Sequence, residues 1–354
     1  MKEDVFIEQE DDEPNEQFVV GLDIGYGNVK MSYGFAAGEK SPEEVNLTPK
    51  VFPATFQEYA PGEDPLYSGN GLEKFVRYKE RNYLVFSPES SKLPNFTSAR
   101  CTTPKYYKSK QYMILFLGAL LEIGRKEIDL LVIGLPVSQA DNQEMVNDIK
   151  NLLTGTFRPT SKKEVTVKRV EVIRQPIGAY FNAVANRSIA ASDSTLFFDI
   201  GFFTTDWVLM MNRTIKKTAS GSANFAVSSI IRKAAFSLGH ERGTTVAMTI
   251  LEDAIREGKY VIEAPNGDKI DFAETFKQCA ADVVNDAMSE IYGQVMDYIV
   301  LVKNIVIVGG GASYFEEAIM DNFPDKNVIL AKDSVTANAS GFYWYGSIQA
   351  AKSK

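Results

Sequence analysis

The sequence predicts an α/β fold of two related domains, each a mixed β-sheet flanked by helices. Three observations carry that expectation. Apolar runs of strand length alternate with stretches of helical period along most of the chain. The tripeptide Asp23-Ile24-Gly25 returns as Asp199-Ile200-Gly201, 176 positions later and close to half of the 354 residues. The composition is globular, 45% hydrophobic and 24% charged, in a chain long enough to bury sizeable cores without metal or disulfide staples.

The elements follow in order. Phe18–Ile24 is an apolar run that reads as a buried strand, joined by a glycine-rich turn to a second strand over 29–33. Residues 35–104 carry Pro42, Pro53, Pro61, Pro65, Pro88 and Pro94. With a β pair near 75–78 and 83–86, they read as a small peripheral subdomain. Pro104 suits a helix start, and 112–125 reads as an apolar helix. Strands are expected over 128–135 and 165–173, with helices over Gln143–Leu153 and 177–185. The second half opens on a buried strand and turn, 195–201, followed by a strand over 206–211. Helices are expected over 222–238 and 243–257, a hairpin over 259–271 turning at Asn266-Gly267, and a long helix over 274–300. Asn304–Val308 reads as a strand running into three glycines, 328–330 as a short strand, and 335 onward as a closing helix. The expected domains are 18–192 with 334–354, and 193–333 with a small subdomain near 229–284.

Charge and rare residues exclude several classes. Acids number 46 against 38 bases, but residues 1–17 alone hold eight acids and one lysine. They form an acidic tail, expected to be disordered, on a nearly neutral body, so strong direct nucleic-acid binding is not expected. The terminus lacks the basic start and apolar stretch of a secretory leader. The longest apolar run, 113–121, is nine residues, short of the ~20 that span a bilayer. A cytoplasmic protein without a membrane partner is the expectation. Two cysteines (Cys101 and Cys279) and one histidine (His240) speak against a disulfide framework, a zinc site or a His-centred triad.

Three glycine turns can carry chemistry. In Asp23-Ile-Gly-Tyr-Gly-Asn-Val-Lys30, Gly25 and Gly27 let backbone N–H groups close on phosphate oxygens. Lys30 adds a point charge and Asn28 a donor, while Asp23 would face phosphate through a hydrated Mg²⁺. The same residues also suit an ordinary hairpin turn with a solvated lysine. In Asp199-Ile-Gly-Phe-Phe-Thr-Thr-Asp206, Thr204 and Thr205 can donate to a terminal phosphate, and Asp199 could organise Mg²⁺ water or an attacking water. An ordinary hairpin is again the alternative. Gly309, Gly310 and Gly311, between a strand and a helix start near Ser313, allow flat approach of a purine or ribose, or simply a tight strand–helix connection. In Arg174-Gln-Pro-Ile-Gly-Ala-Tyr180, Gln175 is too weak a base to take a proton and could instead position a water, or cap a helix. No GxxxxGK[ST] run occurs, and no GxGxxG follows a strand.

In this order the motifs resemble the actin/Hsp70/sugar-kinase superfamily, and within it the actin-like proteins of the ParM/StbA type that segregate plasmids. The likeness covers residue 18 to the end, including Ala337-Asn-Ala-Ser-Gly-Phe-Tyr-Trp-Tyr-Gly346 as the second connecting helix. It implies an actin-like fold, ATP or ADP with Mg²⁺ in a cleft between the domains, self-assembly into filaments, and hydrolysis that destabilises them. A DNA-binding adaptor would link the filament to its cargo. Carried over, Gly25, Tyr26, Gly27, Asn28 and Lys30, then Gly201, Thr204 and Thr205, then Gly309, Gly310, Gly311 and Ala312 contact the nucleotide. Asp23 and Asp199 organise Mg²⁺ through water, and Gln175 and Asp199 serve the attacking water. The acidic tail departs from this pattern. A small-molecule kinase or a non-polymerising, ATP-binding scaffold of the same fold are the alternatives. The kinase reading needs an acceptor base, and the first half offers none beyond Asp23.

Overall fold

The computed structural model describes residues 16–38, 40, 42–45, 47–59, 74–87, 105–264 and 267–352. The acidic tail up to residue 15, Pro61, Pro65, Pro88, Pro94, Cys101, Pro104 and Asn266 lie outside them. The described chain divides into two compact units. One holds the described residues up to Leu135, Gln139–Asn186 and the chain from Asn338; the other holds Pro136–Ser138 and Arg187–Ala337.

The first unit opens on an antiparallel hairpin of β1 (Phe18–Ile24) and β2 (Asn28–Phe35). After a short helix, α1 (Pro42–Val45), β3 (Lys50–Pro53) extends the sheet beside β2. Strands β4 (Phe56–Tyr59), β5 (Lys74–Tyr78) and β6 (Arg81–Val85) form a separate sheet. Helix α2 (Lys110–Ile123) starts where Ser109 Oγ accepts the Tyr112 N–H and stops at Gly124, left-handed at φ 72°. Next come β7 (Glu127–Ile128) and β8 (Leu130–Leu135), the latter parallel to β1. Helices α3 (Val137–Ala140) and α4 (Gln143–Leu153) follow, α4 capped by the Asn142 side chain.

The strand expected over 165–173 is two strands. β9 (Gly155–Phe157) and β10 (Val165–Val167) make a small sheet with β7, whereas β11 (Val170–Arg174) lies parallel to β8 in the main sheet. The break falls at Lys168 and Arg169, where the Lys168 N–H donates to the Ile128 carbonyl and the Arg169 carbonyl accepts the Leu131 N–H, both at 2.9 Å, so the chain passes from β7 to β8. Helix α5 (Gln175–Ala185) begins two residues earlier than the sequence suggests, with Pro176 in the first turn, where no N–H is needed.

In the second unit β12 (Thr195–Ile200) and β13 (Thr205–Met211) repeat the antiparallel hairpin. Strands β14 (Thr214–Ile215) and β15 (Gly221–Ala223) both pair with β13. The helix expected from 222 therefore starts only at Val227, because Ser222 pairs in register with Asp206 of β13. Helices α6 (Val227–Arg242) and α7 (Met248–Arg256) precede the small pair β16 (Val261–Glu263) and β17 (Lys269–Asp271). The 27-residue α8 (Ala273–Ile299) leads to β18 (Asn304–Val308), parallel to β12. Helix α9 (Ala312–Asn322) then precedes β19 (Asn327–Leu330), parallel to β18. Helix α10 (Ala337–Lys352) closes the chain.

The two main sheets share one topology. Their orders are β11-β8-β1-β2-β3 and β19-β18-β12-β13-β14. In each, the first strand of the hairpin has its antiparallel mate on one side and two successive parallel strands on the other. The repeated tripeptide is thus the visible trace of a repeated sheet.

All seven residues of β1 are buried. Val20, Leu22 and Ile24 join the cluster that holds α2, while Val19 joins Phe342, Tyr343 and Trp344 of α10. That alternation is why Phe18–Leu22 reads as a run without a polar side chain. Glycines let α10 lie this close. A Cβ at Gly21 would sit 2.2 Å from the Ala339 carbonyl oxygen, and one at Gly341 1.7 Å from that of Gly178 in α5.

Candidate functional site

In the first turn, β1 carries Asp23 to the strand end with 3% of its surface exposed. Hairpin register sets Asp23 opposite Lys30, so both side chains share a face of the sheet. Lys30 Nζ donates to Asp23 Oδ2 at 2.8 Å. Gln175 Nε2, on the first residue of α5, approaches the other carboxylate oxygen at 3.5 Å. The Gly25 N–H donates to the Asn28 carbonyl at 3.0 Å, closing the turn around Tyr26 and Gly27. The Tyr26 ring stacks on Tyr106 with centroids 4.3 Å apart. Around Gly27 the space is open, with nothing within 4 Å of an added Cβ. Asp23, Lys30, Gln175 and the Gly25–Asn28 turn are therefore one cluster.

The second turn repeats the closure, the Gly201 N–H donating to the Thr204 carbonyl at 2.9 Å. Phe202 and Phe203 stand where the first turn has Tyr26 and Gly27. Asp199, 7% exposed, ends its strand opposite Asp206. Asp206 thus takes the register position that Lys30 holds in the first turn. It is 1% exposed and accepts hydrogen bonds from the Val137 N–H (2.8 Å), Thr204 Oγ1 (2.8 Å) and Ser222 Oγ. Ser222 Oγ in turn accepts the Ser138 N–H at 3.1 Å. Burial pushes the Asp206 carboxyl pKa above its ordinary range, and these three donors oppose the shift. The expected ligand donors Thr204 and Thr205 have other commitments here. Thr204 is bonded to Asp206, and Thr205 is fully buried with its hydroxyl donated to the Phe225 carbonyl.

The third turn packs directly on the second. Gly309 has φ 96°, and a Cβ there would lie 2.4 Å from the Ile200 carbonyl oxygen and 2.7 Å from Asp199 Oδ1. The Gly309 N–H donates to the Ser334 carbonyl and the Gly311 N–H to the Ile200 carbonyl, both at 2.9 Å. Gly310 has open space, and Ala312 is the buried first residue of α9. Asp199, Gly201 and Gly309–Gly311 form a second cluster.

Among the described residues, no group of three or more His, Cys, Asp or Glu side chains could hold a metal by itself. A nucleotide-borne Mg²⁺ needs less, since it keeps several waters and takes one or two carboxylates. Asp23 and Asp199, each ending a buried strand beside a glycine turn, are donors of that kind. Sequence reasoning passed over Asp206 and Ser222. Counting the hairpin register outward from Gly201 finds Asp206. Ser222 lay inside a presumed helix and gave no signal.

A family model described as the N-terminal domain of actin-like proteins matches residues 21–178. One described as the C-terminal domain of the archaeal, MreB-like actin homologue matches residues 197–321. The chain belongs to the actin-like proteins. The interval between the two matches contains the passage from one unit to the other at Asn186 and Arg187. Solved actin-like structures share this protein's fold over almost its whole length. The archaeal actin homologue Ta0583 is 18% identical, with 94% of this chain and 100% of that one covered and a TM-score of 0.74. Its complex with ADP gives 17% identity, the same coverage and 0.68. ParM in a 15-stranded filament from Clostridium botulinum is 18% identical, with 94% and 99% covered and a TM-score of 0.71. A search of curated proteins finds no significant match. Among the described residues, this actin-like protein has no helix long and apolar enough to cross a membrane.

Proposed function

We propose that this chain binds ATP with Mg²⁺ through its three glycine turns, assembles into filaments of its own copies, and hydrolyses the nucleotide to turn them over. The observation that carries the reading is the pair of hairpins. Each sets a buried carboxylate at a strand end beside a turn closed by the same glycine N–H bond, and the second is backed by Gly309–Gly311. An ADP-bound archaeal homologue and a ParM filament among the structural neighbours support nucleotide and polymer.

The roles follow from chemistry. Backbone N–H groups of the residues between Gly25 and Asn28, and between Gly201 and Thr204, would take phosphate oxygens, since those of Gly25 and Gly201 close the turns. Lys30 would turn part of its charge from Asp23 toward them. Asp23 and Asp199 would hold the waters of Mg²⁺, which when bound offsets phosphate charge in the transition state. Gln175 would orient the attacking water as an amide, with Asp199 assisting, so positioning rather than a strong base supplies the rate. The open, flat run at Gly310 would face the adenosine. Partition of plasmid or other DNA through an adaptor is the cellular role proposed, in the cytoplasm.

Phosphate release by Asp199→Ala tests the assignment. Turnover should fall by about a hundredfold, with filaments outliving those of the parent. Unchanged turnover would remove Asp199 from the mechanism.

A further inference from the structure

Two carbonyls of the first glycine turn are held from outside it. The Ala54 N–H donates to the Gly27 carbonyl at 3.0 Å, and the Tyr106 hydroxyl approaches the Gly25 carbonyl at 3.5 Å. The Tyr106 ring also lies nearly parallel to that of Tyr26, with centroids 4.3 Å apart and planes at 24°. Tyr106 thus meets the turn twice, once at its backbone and once at the Tyr26 side chain. It lies 80 positions along the chain from Tyr26, outside all three glycine turns.

Tyr106 is itself firmly placed. It is buried and opens a 3₁₀ turn, Tyr106–Lys108, closed where the Ser109 N–H donates to the Tyr106 carbonyl at 2.8 Å. Ser109 is the cap of α2. Tyr107 Oη donates to Asp148 Oδ2 of α4 at 3.2 Å, and Lys108 Nζ pairs with the same oxygen. From the first turn of α2 the Tyr112 ring meets the Tyr106 ring edge-on, at 5.4 Å and 90°. Two helices therefore hold the segment that carries Tyr106, independently of the glycine turn. Its grip on that turn has a direction. A trans peptide sets its N–H opposite its carbonyl, so holding the Gly25 carbonyl on the Tyr106 side turns the Tyr26 N–H to the other side. Gly27 keeps its part of the tip open. Tyr26, unstacked, would bring a large side chain with several rotamers to the same tip; stacked, it is half-buried.

We propose that Tyr106 is a positioning residue for phosphate: by fixing the Tyr26 ring and the Gly25 carbonyl, it presents the Tyr26 N–H to a phosphate oxygen. The proposal rests on the nucleotide reading of the glycine turns and deepens it. Tyr106 acts through the turn and does not touch the ligand. A backbone donor ordered only when phosphate arrives would cost conformational entropy at that moment. The stack sets that order beforehand, and aromatic pairs contribute enough beyond their buried area to matter for affinity.

Titration of the full-length chain with a fluorescent ATP analogue and Mg²⁺ tests this, together with hydrogen exchange of the nucleotide-free chain. Tyr106→Leu removes the stack and the hydroxyl and should weaken analogue binding roughly three- to tenfold. Tyr106→Phe keeps the ring and should recover most of that loss. Tyr26→Leu breaks the same stack from the other side, and the double variant should bind about as weakly as the weaker single one, because the two rings act as a unit. Losses that simply add would overturn the proposal. Exchange separates positioning from general destabilisation. In Tyr106→Leu, peptides spanning 24–30 should exchange faster and peptides spanning 200–206 at the parent's rate, whereas equal acceleration of both would make Tyr106 an ordinary core residue. If the parent binds the analogue and Tyr106→Leu and Tyr26→Leu bind it as tightly, the proposal is wrong and the nucleotide reading stands. If the parent does not bind it, the nucleotide reading falls and takes the proposal with it.

Discussion

Three donors converge on Asp206, and the cost of burying that carboxylate sets two expectations. Asp206→Ala leaves the Val137 N–H and two hydroxyls without their acceptor, a loss of about 2 kcal/mol, to be read as a fall in the denaturation midpoint. The pH dependence has a definite sign. Burial raises the folded pKa above the unfolded value of about 3.9, so between those two values the folded chain holds a proton that the unfolded chain has released. Stability contributed by this group is thus complete below about pH 4 and declines as pH rises through the raised value. Thermal midpoints measured upward from pH 4 should show that decline in the parent, and Asp206→Asn should lose it. Gly309 is the second sensitive residue. At φ 96°, with Asp199 Oδ1 2.7 Å from any added Cβ, Gly309→Ala must move either the backbone or the carboxylate. ATP affinity by titration should drop, whereas affinity equal to the parent's would separate Gly309 from the site. The glycines and aspartates of these turns were legible in the sequence because turn chemistry is local. The commitments of Thr204 and Thr205 were not, since Asp206 and the Phe225 carbonyl reach them only through sheet pairing.

Two helical glycines make opposite predictions from identical chemistry. In α10, a Cβ at Gly341 would lie 1.7 Å from the Gly178 carbonyl oxygen; in α8, one at Gly293 would meet nothing within 4 Å. Gly341→Ala forces α10 and α5 apart and should cost about 3 kcal/mol or prevent folding. Gly293→Ala replaces a poor helix former in open space and should stabilise by roughly 0.5–1 kcal/mol. Chemical denaturation of both variants checks the pair, and equal shifts of the same sign would contradict the packing described. At this scale the sequence showed most where burial is two-sided. β1 and β18 stand out as unbroken apolar runs, and α4 as an amphipathic period with its own cap. It showed least where one short segment serves two partners. Val167 and Val170 look like one strand until β7 is seen to pair with the first and β8 with the second. Gly221–Ala223 looks like a helix start until β13 is there to pair with it.

For the whole molecule, the shared strand order of the two sheets explains how three repeated residues could point to a duplicated architecture. Charge sets what the assembly can touch. With the excess of acids carried by the first 17 residues, the rest of the chain is nearly neutral by composition. Filter binding to duplex DNA should give nothing tighter than the non-specific range of about 10⁻⁴–10⁻⁶ M at moderate salt, and sub-micromolar affinity would make the adaptor unnecessary. Exposure was invisible in the sequence, because Phe236 and Met296 look like any apolar residue until their surroundings are known. The central claim is nucleotide-driven self-assembly, and right-angle light scattering with phosphate release followed in the same cuvette addresses it most directly. On adding Mg-ATP, scattering should rise and then decay as phosphate appears. Phosphate release with flat scattering across a wide range of protein concentration would contradict the account.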